Sequence, residues 1–251
     1  MRFSHSRLPA VKDDIPTNSC WKPQSAKRID TSAYGKNVVK IYNIMAMRTK
    51  IKICGITNAV DGRLACALGA NLLGFNFYTP SPRYIEPGKA AEIIRELPTG
   101  PERVGLFVNA SLETIREVLQ QCPLTMVQLH GDEDNAFCEQ VAKLGLPVLK
   151  ALRMSCPGDI RKIEQFGMEY ILLDAFREDL YGGTGDSFDW SWIRETGAKK
   201  IFLAGGINPD TIKEALNVGT YGIDLCSGVE KEPGVKDEQK MRELFRKIKH
   251  A

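Results

Sequence analysis

Short apolar, β-branched runs recur near residues 51–54, 72–77, 103–108, 125–129, 147–151, 170–174, 201–204 and 222–225. They are apolar on both faces rather than alternating, as strands covered on two sides are. Their starts are mostly 21 to 23 residues apart, with two gaps near 31. That is the length of a strand, a turn and a helix, with room for a longer loop in two places.

The intervening segments carry helical period and end signals. Val60, Leu64, Ala67 and Leu68 share one helical face, entered through Asn58 and stopped by Gly69. Leu112, Ile115, Val118 and Leu119 repeat the pattern after Ser111. Asn208 followed by Pro209 predicts an N-cap and first turn, with Gly219 as the stop. Met241, Leu244, Phe245 and Ile248 form the stripe of a closing helix, and the stretch from Asp189 to Glu195 has room for a short helix only.

Eight strands, each followed by helical sequence, predict a single-domain α/β fold, a (β/α)8 TIM barrel over residues 47–251. A doubly wound open sheet is the alternative. It calls for a Gly-x-Gly-x-x-Gly turn after the first strand, and Cys54-Gly55-Ile56-Thr57-Asn58 is not one.

Residues 1–46 break the rhythm. They hold Pro9, Pro16, Pro23 and several Ser and Thr without a sustained period, and read as a poorly ordered N-terminal extension. Met45 and Met47 stand just before the first strand, where translation can begin. A transit peptide is the competing reading, which Asp13 and Asp14 weaken.

Composition narrows the class. With 43% apolar and 26% charged residues, the 251-residue chain is that of a globular protein with a full core. Its net charge of +3 divides into +5 in residues 1–46 and −2 in the rest, so the barrel lacks the basic face of a nucleic-acid binder. No apolar run reaches the ~18–20 residues needed to cross a bilayer, and no signal-like segment follows Met1. Seven cysteines (Cys20, Cys54, Cys66, Cys122, Cys138, Cys156 and Cys226) form no Cys-x-x-Cys pair, which fits a reduced, cytoplasmic setting. Three histidines, two of them near the chain ends, argue against a histidine metal site.

Barrels of this kind carry their chemistry at the carboxyl ends of the strands. Those positions hold Cys54 after strand 1, Ser81-Pro82-Arg83 after strand 2, Gln128 and His130 at strand 4, and Asp174 at strand 6. Gly205-Gly206 follows strand 7 and Ser227-Gly228 follows strand 8. Two adjacent donor-rich loops, with glycines that let backbone N–H groups approach an anion, form the expected phosphate site. Cys54 and Asp174 face each other from strand ends three places apart on the ring. A thiol with its reference pKa of ~8.5 is only slightly ionised at pH 7, and an environment that lowers it makes a base. Asp174 needs the opposite help, from apolar neighbours such as Leu172, Leu173 and Phe176, to serve as an acid. Such a pair across a phosphate-anchored sugar suits a proton shift between neighbouring carbons. Structural readings stand beside these: Cys54 as an apolar filler, Asp174 as a brace, Arg83 paired with Glu86, His130 as a satisfied core residue, and Gly182-Gly183-Thr184-Gly185 as a turn.

Taken together, Lys52-Ile53-Cys54-Gly55-Ile56-Thr57-Asn58, Ser81-Pro82-Arg83-Tyr84-Ile85, Gln128-Leu129-His130-Gly131, Leu173-Asp174-Ala175, Gly182-Gly183-Thr184-Gly185 and the two phosphate loops resemble the phosphoribosylanthranilate isomerases of tryptophan biosynthesis. The likeness runs from about residue 50 to the C-terminus. It implies an Amadori rearrangement of N-(5-phosphoribosyl)anthranilate without metal or organic cofactor; the expected assembly is a monomer or homodimer, and charge and hydropathy give it no nucleic-acid or membrane partner. By that likeness Asp174 protonates the ring oxygen, Cys54 removes the C2′ proton, and Arg83 pairs with the anthranilate carboxylate. Asn58, Gln128 and His130 are substrate-binding candidates, Gly205, Gly206, Ser227 and Gly228 hold phosphate, and Gly182, Gly183, Thr184 and Gly185 form a mobile cover. One departure is visible: many members have two serines where this chain has Cys226-Ser227. An indoleglycerol-phosphate synthase, which would need Lys and Glu in the mouth, and a silent phosphoribosyl-ligand-binding barrel are the rival readings.

Overall fold

The computed structural model describes residues 49–175, 187–193 and 199–251. The N-terminal extension over residues 1–46 and the Gly182–Gly185 cover lie outside the described residues. Eight parallel strands close into a barrel: β1 (Lys50–Ile53), β2 (Leu72–Asn76), β3 (Glu102–Phe107), β4 (Met126–Leu129), β5 (Val148–Met154), β6 (Tyr170–Ala175), β7 (Lys200–Leu203) and β8 (Gly222–Leu225). Each pairs with its sequence neighbours, and β8 returns to β1. The sheet thus has no open edge, as the periodic apolar runs predict.

Among the described residues, six α-helices surround it: α1 (Ala59–Leu68), α2 (Pro87–Glu96), α3 (Leu112–Gln121), α4 (Asn135–Ala142), α5 (Ile212–Asn217) and α6 (Glu238–Lys249). Asn58 and Ser111 cap α1 and α3 through their side-chain oxygens, and Gly69 closes α1 at φ 109°. After β5 the chain forms a 3-10 helix, Pro157–Gln165, instead of an α-helix. There the Asp159 carboxylate gathers the Ser155 and Cys156 N–H groups and tightens the turn. Among the described residues after β6, Trp190–Trp192 form a 3-10 turn.

Two expectations are corrected. The buried face of α1 is Asp61, Gly62 and Ala65, with Leu64 and Leu68 packed beside it, while Val60 is 66% exposed and Ala67 faces solvent. Size decides this: a Cβ on Gly62 would lie 2.9 Å from a Leu97 methyl, so the helix must lie close at a small residue. After β7, Asn208 Oδ1 accepts from the N–H groups of Asp210 and Thr211, but α5 itself begins at Ile212. Beyond β8 the chain makes a 3-10 turn (Ser227–Val229) and a small hairpin, β9 (Glu230–Glu232) with β10 (Val235–Lys236), that the periodicity did not predict.

Side chains alternate between two cores. Leu72, Val104, Met126, Leu149, Leu172 and Phe202 pack together inside the barrel, and a larger cluster including Ile53, Leu73, Phe75, Val127 and Leu203 packs between strands and helices. The inner cluster closes the barrel interior below, so the inward positions at the carboxyl ends are left to form the site.

Candidate active site

Strand register builds one wall. Lys52 stands opposite Asp224 across β1 and β8, with its Nζ 2.9 Å from Asp224 Oδ1. Two residues on, where the side-chain period returns to the same face, come Cys54 and Cys226. The Cys54 N–H still donates to the Leu225 carbonyl at 2.8 Å, so the ladder continues to this point. Gly74 on β2 opens the space they need: a Cβ there would lie 2.7 Å from Cys54 Sγ and 3.1 Å from Lys52 Nζ.

Burial and charge then set protonation. A hydrogen bond from the Cys226 thiol, with the Lys52 and Lys236 ammonium charges, outweighs burial and holds the Cys54 thiol well below the usual range. The same hydrogen bond and burial push Cys226 upward. Lys52 adds to the lowering at Cys54, whereas the pull of Lys236 and Arg83 does not offset the rise at Cys226. Burial works against the Lys52 ammonium, but Asp224 and Cys54 together raise its pKa. Burial also pushes Asp224 up to about 7 against the pull of Lys52, with the negative charge of Cys54 and Asp174 adding to the rise.

The opposite wall is β4 and β6. Asp174 is buried, its Oδ1 accepts from the Ala175 N–H at 2.9 Å, and its Oδ2 lies 3.3 Å from His130 Nε2. That contact is within ion-pair distance but outside hydrogen-bond geometry, which leaves His130 Nε2 without a hydrogen-bond partner. Gln128 Nε2 lies 2.7 Å from His130 Nδ1. With the amide nitrogen donating, the ring proton sits on Nε2, facing Asp174.

Arg83 pairs with Glu230, not with its near neighbour Glu86. Its Nε lies 3.1 Å from both carboxylate oxygens and its Nη2 2.7 Å from Oε2. Glu230 also accepts from Lys236 Nζ at 2.8 Å, and that ammonium donates to the Cys54 carbonyl at 2.5 Å. Arginine and lysine positive charge hold Glu230 below the usual carboxylate range despite its burial. The β2 loop is braced by Asn76, which donates to Ser81 Oγ at 3.0 Å, while that oxygen accepts from the Arg83 N–H.

The phosphate loops interlock. Gly205 and Gly206 take φ values of 86° and 67°, which favour glycine. Gly228 passes so close to the other loop that a Cβ would come 1.9 Å from the Ile207 carbonyl oxygen.

Cys54, Arg83, His130, Asp174, Gly205, Gly206, Ser227 and Gly228 all line one cavity of about 630 Å³, its open mouth included. Asn58 and Gln128 are placed otherwise. Asn58 spends both amide atoms on Asp61, accepting from its N–H and donating to its carboxylate, and does not line the cavity. Gln128 is fully buried against His130. Lys52, Asn76, Asp224, Glu230 and Lys236 were not singled out from the sequence. Lys52 and Asp224 could have been: a charge in the middle of an apolar strand, two residues before a cysteine, is a signal for a buried partner. Among the described residues, no cluster of three or more His, Cys, Asp or Glu side chains could hold a metal ion.

Residues 51–247 match the family model described as N-(5'phosphoribosyl)anthranilate (PRA) isomerase. The N-(5'-phosphoribosyl)anthranilate isomerase of Trichlorobacter lovleyi is 45% identical over 205 residues, which cover 80% of this chain and 98% of that one. A dimeric phosphoribosylanthranilate isomerase from Thermotoga maritima, in a structure of monomers generated from it, superposes with a TM-score of 0.72 at 36% identity, covering 81% of this chain and all of that one. An isomerase of the same name, solved with reduced 1-(o-carboxyphenylamino)-1-deoxyribulose 5-phosphate, gives 0.71 at 36% identity, with 81% and 100% covered.

Proposed function

The chain belongs to the N-(5'-phosphoribosyl)anthranilate isomerase family, and from that premise we propose how its residues divide the reaction. The protein catalyses the Amadori rearrangement of N-(5'-phosphoribosyl)anthranilate to 1-(2-carboxyphenylamino)-1-deoxyribulose 5-phosphate in tryptophan biosynthesis. Loops 7 and 8 take the phosphate on Gly205, Gly206, Ser227 and Gly228. Ser227 and the backbone donors serve even though Cys226 replaces a hydroxyl common in the family. Arg83, oriented by its Glu230 contacts, receives the anthranilate carboxylate at the other end.

The sugar then lies between the walls. Asp174 gives a proton to the ring oxygen and the ribose opens to an iminium, with the His130 ring beside it, its Nε2 3.3 Å from Asp174 Oδ2. The Cys54 thiolate takes the C2′ proton, giving an enaminol that becomes the ketone. Each general acid or base contributes about 10²–10⁴-fold in a well-organised site. The observation that carries this reading is that Cys54 and Asp174 share one cavity with the glycine loops. A dimeric relative supports a homodimer as one of two assemblies open to this chain, the monomer being the other. The test is direct: purified protein added to freshly made phosphoribosylanthranilate should quench its anthranilate fluorescence at a rate proportional to enzyme. Inorganic phosphate should raise KM and leave kcat alone. A protein that leaves the fluorescence unchanged would refute the assignment.

A further inference from the structure

We propose that Cys54 and Cys226 form a reversible disulfide, making the thiol of the reaction a site of oxidative modification. They stand side by side where β1 and β8 run out, one register step beyond the Ile53–Leu225 pair. Neighbouring strand positions lie within the Cα span that a disulfide bridges. Cys226 packs against the small cluster that contains Cys54, both line the same cavity, and the Cys226 thiol donates to Glu230 Oε1 at 3.8 Å. A Cβ at Gly55 would lie 3.3 Å from Cys226 Sγ, so the second sulfur faces the backbone next to the first. The other cysteines of the described residues have no such partner: Cys122 and Cys138 are buried in the outer core, and Cys66 and Cys156 lie away from the cavity.

The oxidant is a small peroxide. The Cys54 thiolate attacks one peroxide oxygen, forming the S–O bond of a sulfenic acid as the O–O bond breaks and hydroxide leaves. Cys226 sulfur then attacks the sulfenic sulfur: the S–S bond forms, the S–O bond breaks and a second hydroxide leaves. The Cys226 thiol proton converts the second hydroxide to water, and the first hydroxide takes back from solvent the proton that Cys54 gave up on ionising. Two thiols lose two electrons and hydrogen peroxide gains them. Lys52 and Lys236 favour the first step by holding the attacking sulfur as thiolate, and the neighbouring thiol intercepts the sulfenic acid before further oxidation.

The consequence for activity rests on Cys54 being the base. The experiment is therefore read twice. The full-length protein is treated with hydrogen peroxide, free thiols are blocked, and digested peptides are mapped by mass spectrometry without reduction. A cross-linked peptide joining Cys54 to Cys226, lighter by two hydrogens and lost on treatment with dithiothreitol, is expected. Cys226→Ser should give no such peptide and should accumulate higher oxides on Cys54 that dithiothreitol does not reverse. Cys54 recovered as free thiol, or as sulfinic acid in the wild type without the cross-link, overturns the proposal. Activity is read on the same samples. A fall of at least about tenfold that dithiothreitol restores agrees with Cys54 as the base. A cross-linked enzyme that still turns over confirms the disulfide and refutes that role instead.

Discussion

Lys52 is the residue that most changes how the site works. An ammonium fully out of water needs a partner; here it has Asp224 at 2.9 Å and Cys54 above it. Its charge, added to the Cys226 hydrogen bond, holds the thiol well below the usual cysteine range. The sign for catalysis follows. The base works deprotonated, so activity persists as pH falls through ~8.5 and is lost only as pH falls through the depressed Cys54 value. The acid limb of kcat/KM is therefore expected well below 8.5, and iodoacetamide should label Cys54 along the same curve. Cys122 and Cys138, which burial pushes up to about 11, should stay unlabelled. Lys52→Met should move both curves upward together, and Lys52→Met/Asp224→Asn should do the same without leaving a buried carboxylate alone. Labelling that ignores both changes would show that Lys52 does not tune the thiol. The sequence carries the sign that each charge needs a buried partner, but not which partner, because Lys52 and Asp224 are 172 residues apart and only closure of the barrel pairs them.

At the scale of elements, the caps and interlocked loops carry the predictions. Asn58 was a candidate for substrate but is spent on the first turn of α1. Asn58→Ala should lower stability by about 1 kcal/mol, a Tm loss of about 2–4 °C at this size, and leave KM within about twofold. A large rise in KM with unchanged Tm would return Asn58 to the binding site. Gly228→Ala has no room to relax, since its Cβ meets backbone, and should force loop 8 from loop 7. The expected result is a KM raised about tenfold or more, the mark of lost phosphate contact, since charge-assisted hydrogen bonds to phosphate are worth about 1.5–3 kcal/mol each. An unchanged KM would remove loop 8 from the phosphate site. The eight strands were legible because buried parallel strands are long apolar runs with turn residues between them. The hairpin after β8 was not, because Glu230–Lys236 has almost no apolar residues; Pro233-Gly234 was its one written sign. Hydrophobicity placed only half of the α1 stripe: Leu64 and Leu68 pack on the core, but Val60 and Ala67 face out because close packing at Gly62 and Ala65 decides the face.

Across the whole molecule, the barrel acts as a frame that holds distant residues at fixed separations. Three of the relatives are covered over 97% or more of their length by about 80% of this chain, and the family match starts at residue 51. A chain beginning at Met47 is therefore expected to keep kcat, KM and Tm; a drop of several degrees in Tm would mean that residues 1–46 pack on the barrel. Most of the candidate site was legible as strand-end chemistry, since Cys54, Arg83, His130, Asp174 and the two glycine loops line one cavity. What escaped was the supporting layer, whose members are joined across the ring and not along the chain. The account stands on two groups acting on one sugar, and the kcat of Cys54→Ala and Asp174→Asn, followed by anthranilate fluorescence at saturating substrate, tests it most directly. Each variant is expected to fold as the wild type does and to lose about 10²–10⁴-fold in kcat, with Cys54→Ser keeping slightly more activity than Cys54→Ala. Wild-type turnover by both Cys54→Ala and Asp174→Asn would contradict the account.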